Sequence, residues 1–168
     1  RLFAKLDIPM FISSSFSKSF SLYGERVGAL TIISASKEEA ERVLSQVKRT
    51  IRTNYSNPPT HGGTVVSMVL NNPELFAMWD KELGEMRDRI RLMRAQLVAK
   101  LKEHGATQNF DFVLAQRGMF SYSGLSQAQV ERLRNEHGIY AVNSGRICVA
   151  ALNSRNIDAV AKAIAQVL

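Results

Sequence analysis

From Pro73 to about Glu103 the sequence reads as one unbroken helix, and nothing else in the chain constrains its fold as strongly. Leu83, Met86, Ile90, Met93, Leu97 and Leu101 recur at spacings of three and four, the signature of one buried helical face. Asp80-Lys81, Glu85-Arg89 and Asp88-Arg91 furnish a charged opposite face. Asn71-Asn72-Pro73 marks the start, and Gly105 supplies a C-terminal cap. At 1.5 Å per residue such a helix is about 45 Å long, more than one small domain spans. The pattern therefore predicts two domains, residues 1–85 and 86–168, bridged by a helix over about 73–104. Its methionines read as ordinary core packing.

Upstream, Ile8 to Ser13 reads as a short buried strand, and Val27 to Ala35 (VGALTIISA) as a second. Ser36, with Glu39 three residues on, forms a capping box. It opens a helix carrying Ala40, Val43, Leu44, Val47 and Ile51 on one face. Asn54 to Gly63 (NYSNPPTHGG) is a loop, since Pro58-Pro59 forbids helix there. Thr64 to Leu70 is a short apolar helix. After Gly105 the period changes. Strands are predicted over Phe110–Gln116, Met119–Tyr122, Tyr140–Val142 and Ile147–Ala151, with turns at Arg117-Gly118 and Asn143-Ser144-Gly145. Ser126 caps a helix ending at His137-Gly138, and Asn153 begins a terminal helix. The fold class is α/β, with an α+β second half built on a small antiparallel sheet.

Charge and cysteine content narrow the function. A net charge of +7 raises nucleic acid as a partner. The basic residues are scattered among acidic ones, however, so they read as a solvated helical surface and no nucleic-acid role is expected. No run reaches the roughly 18 apolar residues of a membrane span. Cys148, the single cysteine, excludes an internal disulfide and fits a reducing, cytoplasmic setting; in its strand it reads as a buried, inert thiol. His61, His104 and His137 stand apart, without metal-ligand spacing. The chain opens without methionine, almost at once on an apolar strand of the kind found inside parallel sheets. This predicts the C-terminal part of a longer polypeptide.

The chemistry concentrates in Ser13 to Gly28 (SSSFSKSFSLYGERVG). Lys18 sits in a hydroxyl-rich turn between the two predicted strands, with Arg26 eight residues on. A lysine amine becomes nucleophilic when burial or neighbouring cations favour its neutral form, and it then forms an imine with a carbonyl. The serine hydroxyls, backbone N–H groups and the Arg26 fork together make a phosphate cup. An amine beside such a cup suits pyridoxal phosphate, which needs both. Two other readings stay open. Ser15-Phe16-Ser17-Lys18 also matches the Ser-x-x-Lys signature of penicillin-recognising acyl enzymes, with Tyr55-Ser56-Asn57 as a second element but no Lys-Thr-Gly. The stretch could also belong to an inert structural fragment. Arg146, between two short strands, is placed to grip a carboxylate, and Arg52 ends a helix where it compensates the dipole.

The stretch Ser15-x-Ser17-Lys18-x-Phe20-x-Leu22-Tyr23-x-Glu25-Arg26-x-Gly28 resembles the cofactor-attachment segment of class I pyridoxal-phosphate-dependent aminotransferases of the aspartate and aromatic-amino-acid branches. Asn54 to Pro59, Gly118-Met119-Phe120-Ser121 and Ser144-Gly145-Arg146 resemble the family's later landmarks, in order. Ser19 and Ser21 lean toward the aromatic branch. The resemblance implies the C-terminal part of the type I aminotransferase fold: the end of a large cofactor domain, a bridging helix and a small domain that closes over substrate. It implies a homodimer with shared active sites, exchanging amino groups between an amino acid and a 2-oxo acid by a ping-pong Schiff-base mechanism. Lys18 would bind the cofactor aldehyde and shuttle a proton; Ser15, Ser17 and Arg26 would hold the phosphate. Arg146 would bind the substrate α-carboxylate. Arg52 would reach the neighbouring subunit's site for a dicarboxylate side chain, Ser56 would line that shared site, and Phe120 would pack near substrate. The family's aspartate for the pyridine nitrogen and its ring-stacking aromatic would lie upstream of Arg1. The expectation is that this chain alone catalyses poorly without the N-terminal remainder of the enzyme.

Overall fold

The computed structural model describes residues 2–6 and 8–168. It divides into two compact units, Arg1–Asp80 and Lys81–Leu168. After a 3₁₀ turn at Phe3–Lys5, the first unit forms an antiparallel hairpin of β1 (Met10–Ser15) and β2 (Gly28–Ile33). The register runs from Met10 opposite Ile33 to Ser15 opposite Gly28. A Cβ on Gly28 would lie 2.5 Å from the Ser14 carbonyl oxygen, so only glycine fits that crossing. The sequence predicted two buried strands, the first of the kind found inside parallel sheets, but the two pair antiparallel with each other and are open, with Phe11 66% and Leu30 50% exposed. Apolar residues on both faces announce a strand covered on both sides. Among the described residues no further strand pairs with this hairpin.

Helix α1 (Lys37–Tyr55) starts as predicted, with the Ser36 hydroxyl accepting from the Glu39 N–H at 3.2 Å. The Glu39 carboxylate reaches back to the Ala35 N–H at 2.7 Å, one residue beyond the usual capping-box partner. Its apolar stripe is only half covered: Ala40, Val43, Val47 and Ile51 are partly buried and Leu44 is exposed. An open apolar groove lined by Phe11, Leu30, Val43, Val47 and Ile51 results. Helix α2 (His61–Asn71) begins three residues before the predicted Thr64, and the loop shrinks to residues 56–60. Gly62 permits that early start: a Cβ there would meet Glu25 Cβ at 3.0 Å and Val27 Cγ1 at 3.1 Å.

Helix α3 (Pro73–Glu103) matches the predicted span. The Asn72 side-chain oxygen accepts from the Glu74 and Leu75 N–H groups at 3.0 and 3.1 Å, and Pro73 needs no partner. At the far end Gly105, at φ +74°, lets the Ala106 N–H return to the Leu101 carbonyl at 2.9 Å. In the second unit Met93, Leu97, Val98 and Leu101 are buried, whereas Met86 is exposed, so the inward stripe begins at Ile90. Asp88 and Arg91 pair at 3.0 Å. Arg89, rather than pairing with Glu85, donates to the carbonyls of Ala150 (3.2 Å) and Leu152 (2.6 Å).

The rest of that unit wraps α3 with α4 (Phe112–Ala115), β3 (Phe120–Tyr122), α5 (Gln127–His137), β4 (Arg146–Cys148) and α6 (Ile157–Val167). β3 and β4 pair antiparallel. The predicted strand over Phe110–Gln116 is instead a helical turn. Phe110 and Val113, three apart, are both buried, while Phe112 and Leu114 are exposed. Three-residue spacing toward the core overrides the aromatic β-propensity. Likewise Val149 and Leu152 both enter the core, so the chain leaves β4 after Cys148 for a 3₁₀ turn at Val149–Ala151 rather than continuing as strand to Ala151. Tyr140–Val142 joins no ladder; it leads into a tight loop in which the Gly145 N–H donates to the Val142 carbonyl at 2.8 Å. Asn153 closes a turn before α6, whose N-cap is Asn156. Ser126 does cap α5, in a full capping box with Gln129, and Gly138 ends it at φ +65°. No described helix is long and apolar enough to cross a membrane.

Candidate functional site

In the first unit the end of β1 delivers Ser15 and Ser17 side by side. The Ser15 hydroxyl donates to the Ser17 hydroxyl at 3.1 Å and accepts from the Ser17 N–H at 3.2 Å. The chain then turns once on itself, the Phe20 N–H returning to the Phe16 carbonyl at 3.2 Å. Lys18 rides on this turn, with its Nζ 4.1 Å from the centroid of the Tyr23 ring. Arg26 approaches the same ring, its guanidinium carbon 5.7 Å away, and donates to the Tyr23 carbonyl at 2.9 Å. Arg26 adopts φ +54° and Ser21 φ +55°. Left-handed backbone costs a non-glycine residue about 1–2 kcal/mol, so the loop is held in this shape by its surroundings. Among the described residues neither Lys18 nor Arg26 pairs with a carboxylate. The turn thus carries two pairs of donors, the hydroxyls of Ser15 and half-buried Ser17 in mutual contact, and the exposed cations Lys18 and Arg26 on the one Tyr23 ring. Lys18 is exposed, because among the described residues the open hairpin does not bury it.

What fixes the turn is an aromatic clamp that the motif did not reveal. Phe20 stacks on Trp79 with centroids 4.7 Å apart, Phe16 meets Phe20 edge-on at 5.4 Å, and Phe76 lies 5.6 Å from Trp79. The Trp79 indole N–H donates to the Ser19 carbonyl at 2.7 Å. The signal was present as aromatic residues in two distant stretches, but only the fold shows that they meet. Tyr23, quoted only as part of the motif, proves to be the common neighbour of both cations.

Arg52 and Ser56 form a second group at the end of α1, the guanidinium donating to the Ser56 hydroxyl. Ser56 sits at φ +67°, ψ −69°, a strained turn where α1 stops before the two prolines. In the second unit the antiparallel β3–β4 ladder brings Arg146 and Phe120 together: the guanidinium carbon lies 5.0 Å from the Phe120 ring centroid. Phe120 stands opposite Cys148, and Tyr122 opposite Arg146. A cavity of about 440 Å³ opens beside them, with Tyr140, Val142, Ile147 and Cys148 in its wall. Cys148 is therefore half-buried at a cavity edge rather than sealed in a core. Arg146 is exposed and forms no ion pair among the described residues, leaving its donors available to a carboxylate.

The sequence profile of the family described as aminotransferase class I and II matches residues 1–164. The chain belongs to that family. It is 68% identical over 168 residues to an aspartate aminotransferase of Pseudomonas aeruginosa and 54% identical to an aromatic-amino-acid aminotransferase of Escherichia coli. Each alignment covers all of this chain and 42% of the relative. A crystal structure of the aromatic-amino-acid aminotransferase of Burkholderia pseudomallei, covalently bound to pyridoxal phosphate, superposes with a TM-score of 0.94 at 70% identity. It too is covered to 42% of its length by all of this chain. The chain thus has the type I aminotransferase fold over the part it represents and spans less than half the length of these relatives.

Proposed function

We propose that the intact protein is a pyridoxal-phosphate-dependent aminotransferase that exchanges an amino group between an acidic or aromatic L-amino acid and a 2-oxo acid such as 2-oxoglutarate, by a ping-pong reaction. The observation that supports this reading is the Lys18 turn, where an exposed primary amine and a guanidinium meet on the Tyr23 ring, two hydroxyls touch each other, and neither cation has a carboxylate partner among the described residues. That donor set fits the cofactor. Ser15, Ser17 and Arg26 match a phosphate's need for several donors and a fixed positive charge, and Lys18 is an amine for its aldehyde. When bound, the cofactor supplies a carbonyl to receive the amino group and a ring to take up electrons released at the substrate α-carbon.

The residues of this chain then have distinct tasks. Lys18 Nζ would hold the cofactor through its amine and, as a free amine, would carry the proton taken from the substrate α-carbon. Arg26 and the two serines would hold the cofactor's phosphate and so keep it in place beside Lys18. Arg146 receives the substrate α-carboxylate through paired N–H donors, with Phe120 packing against the cation and excluding water from that side. Arg52, steadied by Ser56, recognises the distal carboxylate of a dicarboxylic substrate presented to the neighbouring subunit of a homodimer. We place the protein in the cytoplasm. The two branch names among the relatives fit both substrate classes. Turnover tests the reading: Lys18→Ala should abolish transamination in the intact protein, and Lys18→Arg should not restore it. Full turnover in Lys18→Ala would refute it.

A further inference from the structure

Arg94 is the most deeply buried charged side chain among the described residues, at 4% exposure, and nothing in the proposed reaction uses it. It projects from α3, yet its guanidinium donates to groups 19 to 27 residues away: the Val113 carbonyl (3.2 Å), the Gly118 carbonyl (2.6 Å), the Phe120 carbonyl (3.4 Å) and the Ser121 hydroxyl. No carboxylate pairs with it among the described residues. Burial, and then the nearby Arg117 charge, push its ionisation below the usual arginine range. An apolar side chain of similar volume would leave these acceptors without their donor. A planar fork of donors does something packing cannot: it fixes several acceptors at once in one geometry.

The fixed acceptors belong to the strand that carries Phe120. The Ser121 hydroxyl passes the contact on, donating to Gln116 Oε1 at 2.7 Å. Gln116 in turn takes both main-chain groups of Tyr122, accepting from its N–H at 2.9 Å and donating to its carbonyl at 3.0 Å. Tyr122 lies opposite Arg146 in the ladder, and Phe120 lies against the Arg146 guanidinium. A two-stranded ladder with three residues a side is not self-supporting. Arg94 ties β3 to α3 through the Phe120 carbonyl and the Ser121 hydroxyl.

We infer that Arg94, acting with Ser121 and Gln116, is a positioning residue that sets the place of β3 and thereby the aim of Arg146 at the substrate carboxylate. This rests on the assignment of Arg146 proposed above. A carboxylate fork tolerates little misplacement, so a small shift of β3 is felt as lost affinity rather than as lost fold.

The test uses the intact protein with its cofactor and compares Arg94→Met, Arg94→Lys, Ser121→Ala, Arg146→Lys and Val130→Ala. The last trims the core of the same unit from α5. The readouts are cofactor content by absorbance, melting temperature, KM and kcat for the amino acid, and the Kd of an unreactive carboxylate analogue. Arg94→Met should bind cofactor normally but raise KM and the analogue Kd about tenfold. Arg94→Lys should recover part of that loss, and Ser121→Ala should show a loss of about threefold. Val130→Ala should lower the melting temperature with KM unchanged. If Arg94→Met does not fold, the Ser121→Ala result decides. Melting that falls in the Arg94 and Ser121 variants with carboxylate affinity unchanged, while Arg146→Lys does weaken it, would overturn the positioning role alone. If Arg146→Lys also leaves affinity unchanged, the assignment of Arg146 fails first.

Discussion

Replacing Phe20 by leucine tests whether the start of α3 holds the lysine turn in place. The ring stacks on Trp79 at 4.7 Å and meets Phe16 edge-on at 5.4 Å. Aromatic pairs contribute about 0.5–1.5 kcal/mol each beyond simple area burial. Leucine keeps most of the apolar contact but forfeits both pairs, for a cost of about 1–3 kcal/mol. The Trp79 N–H to Ser19 carbonyl bond, 2.7 Å long, remains but is held less firmly. Trp79 is the protein segment's single tryptophan, so its emission reports directly on this contact. With a urea slope of about 2 kcal/mol/M, a loss of about 2 kcal/mol moves the midpoint down by about 1 M. The native emission should also shift to the red as the indole meets more water. Phe76→Leu, which removes only the more distant contact at 5.6 Å, should move the midpoint by less than half as much. A Phe20→Leu midpoint within about 0.2 M of the parent, with emission unchanged, would show that the clamp does not hold the turn.

Gly145 sits at φ +79°, and a Cβ there would come within 2.7 Å of the Leu125 carbonyl oxygen. Gly145→Ala should therefore destabilise the second unit by about 2–4 kcal/mol and weaken carboxylate binding by the adjacent Arg146; denaturation followed by circular dichroism, with a loss under about 0.5 kcal/mol, would contradict this. Arg52→Leu should raise KM for dicarboxylic substrates about 10–100-fold while changing it little for aromatic ones; equal effects on both would remove Arg52 from side-chain recognition. Hydrogen bonds from Lys100, then from His104, hold the Asp158 carboxyl below its ordinary 3.8. Its contribution to stability is therefore complete above that value and drains away as pH falls through the lowered one. The melting difference between the parent and Asp158→Asn should be present near pH 6 and vanish toward pH 2, and a difference independent of pH would refute the linkage.

Local signals carried much of the fold. The apolar repeat, Asn72-Pro73 and Gly105 marked both ends of α3, because caps and period are properties of a few neighbouring residues. Ser126 and Gly138 bounded α5 in the same way. Predictions went astray where a residue's fate depended on distant partners. Phe110 to Gln116 alternates like a strand, yet the core takes Phe110 and Val113 together and winds the segment into a turn. Ile8 to Ser13 has the composition of a covered strand, but the covering layers are not among the described residues. Of the candidate site, the Lys18 turn was legible as a motif, since Ser13 to Gly28 is one contiguous stretch. Its support by Trp79, and that of the Phe120 strand by Arg94, was not, because each contact joins a side chain to a backbone carbonyl many residues away, with no distinctive spacing.

The central claim is that Lys18 is the amine that takes up the cofactor. It is tested most directly by adding pyridoxal phosphate to the intact protein, reducing with borohydride, and locating the retained pyridoxyl mass by peptide mapping. The mass should be found on the peptide containing Lys18, in a one-to-one ratio, and should disappear in Lys18→Ala. A pyridoxyl group retained on another lysine, or none retained in an otherwise folded protein, would contradict it.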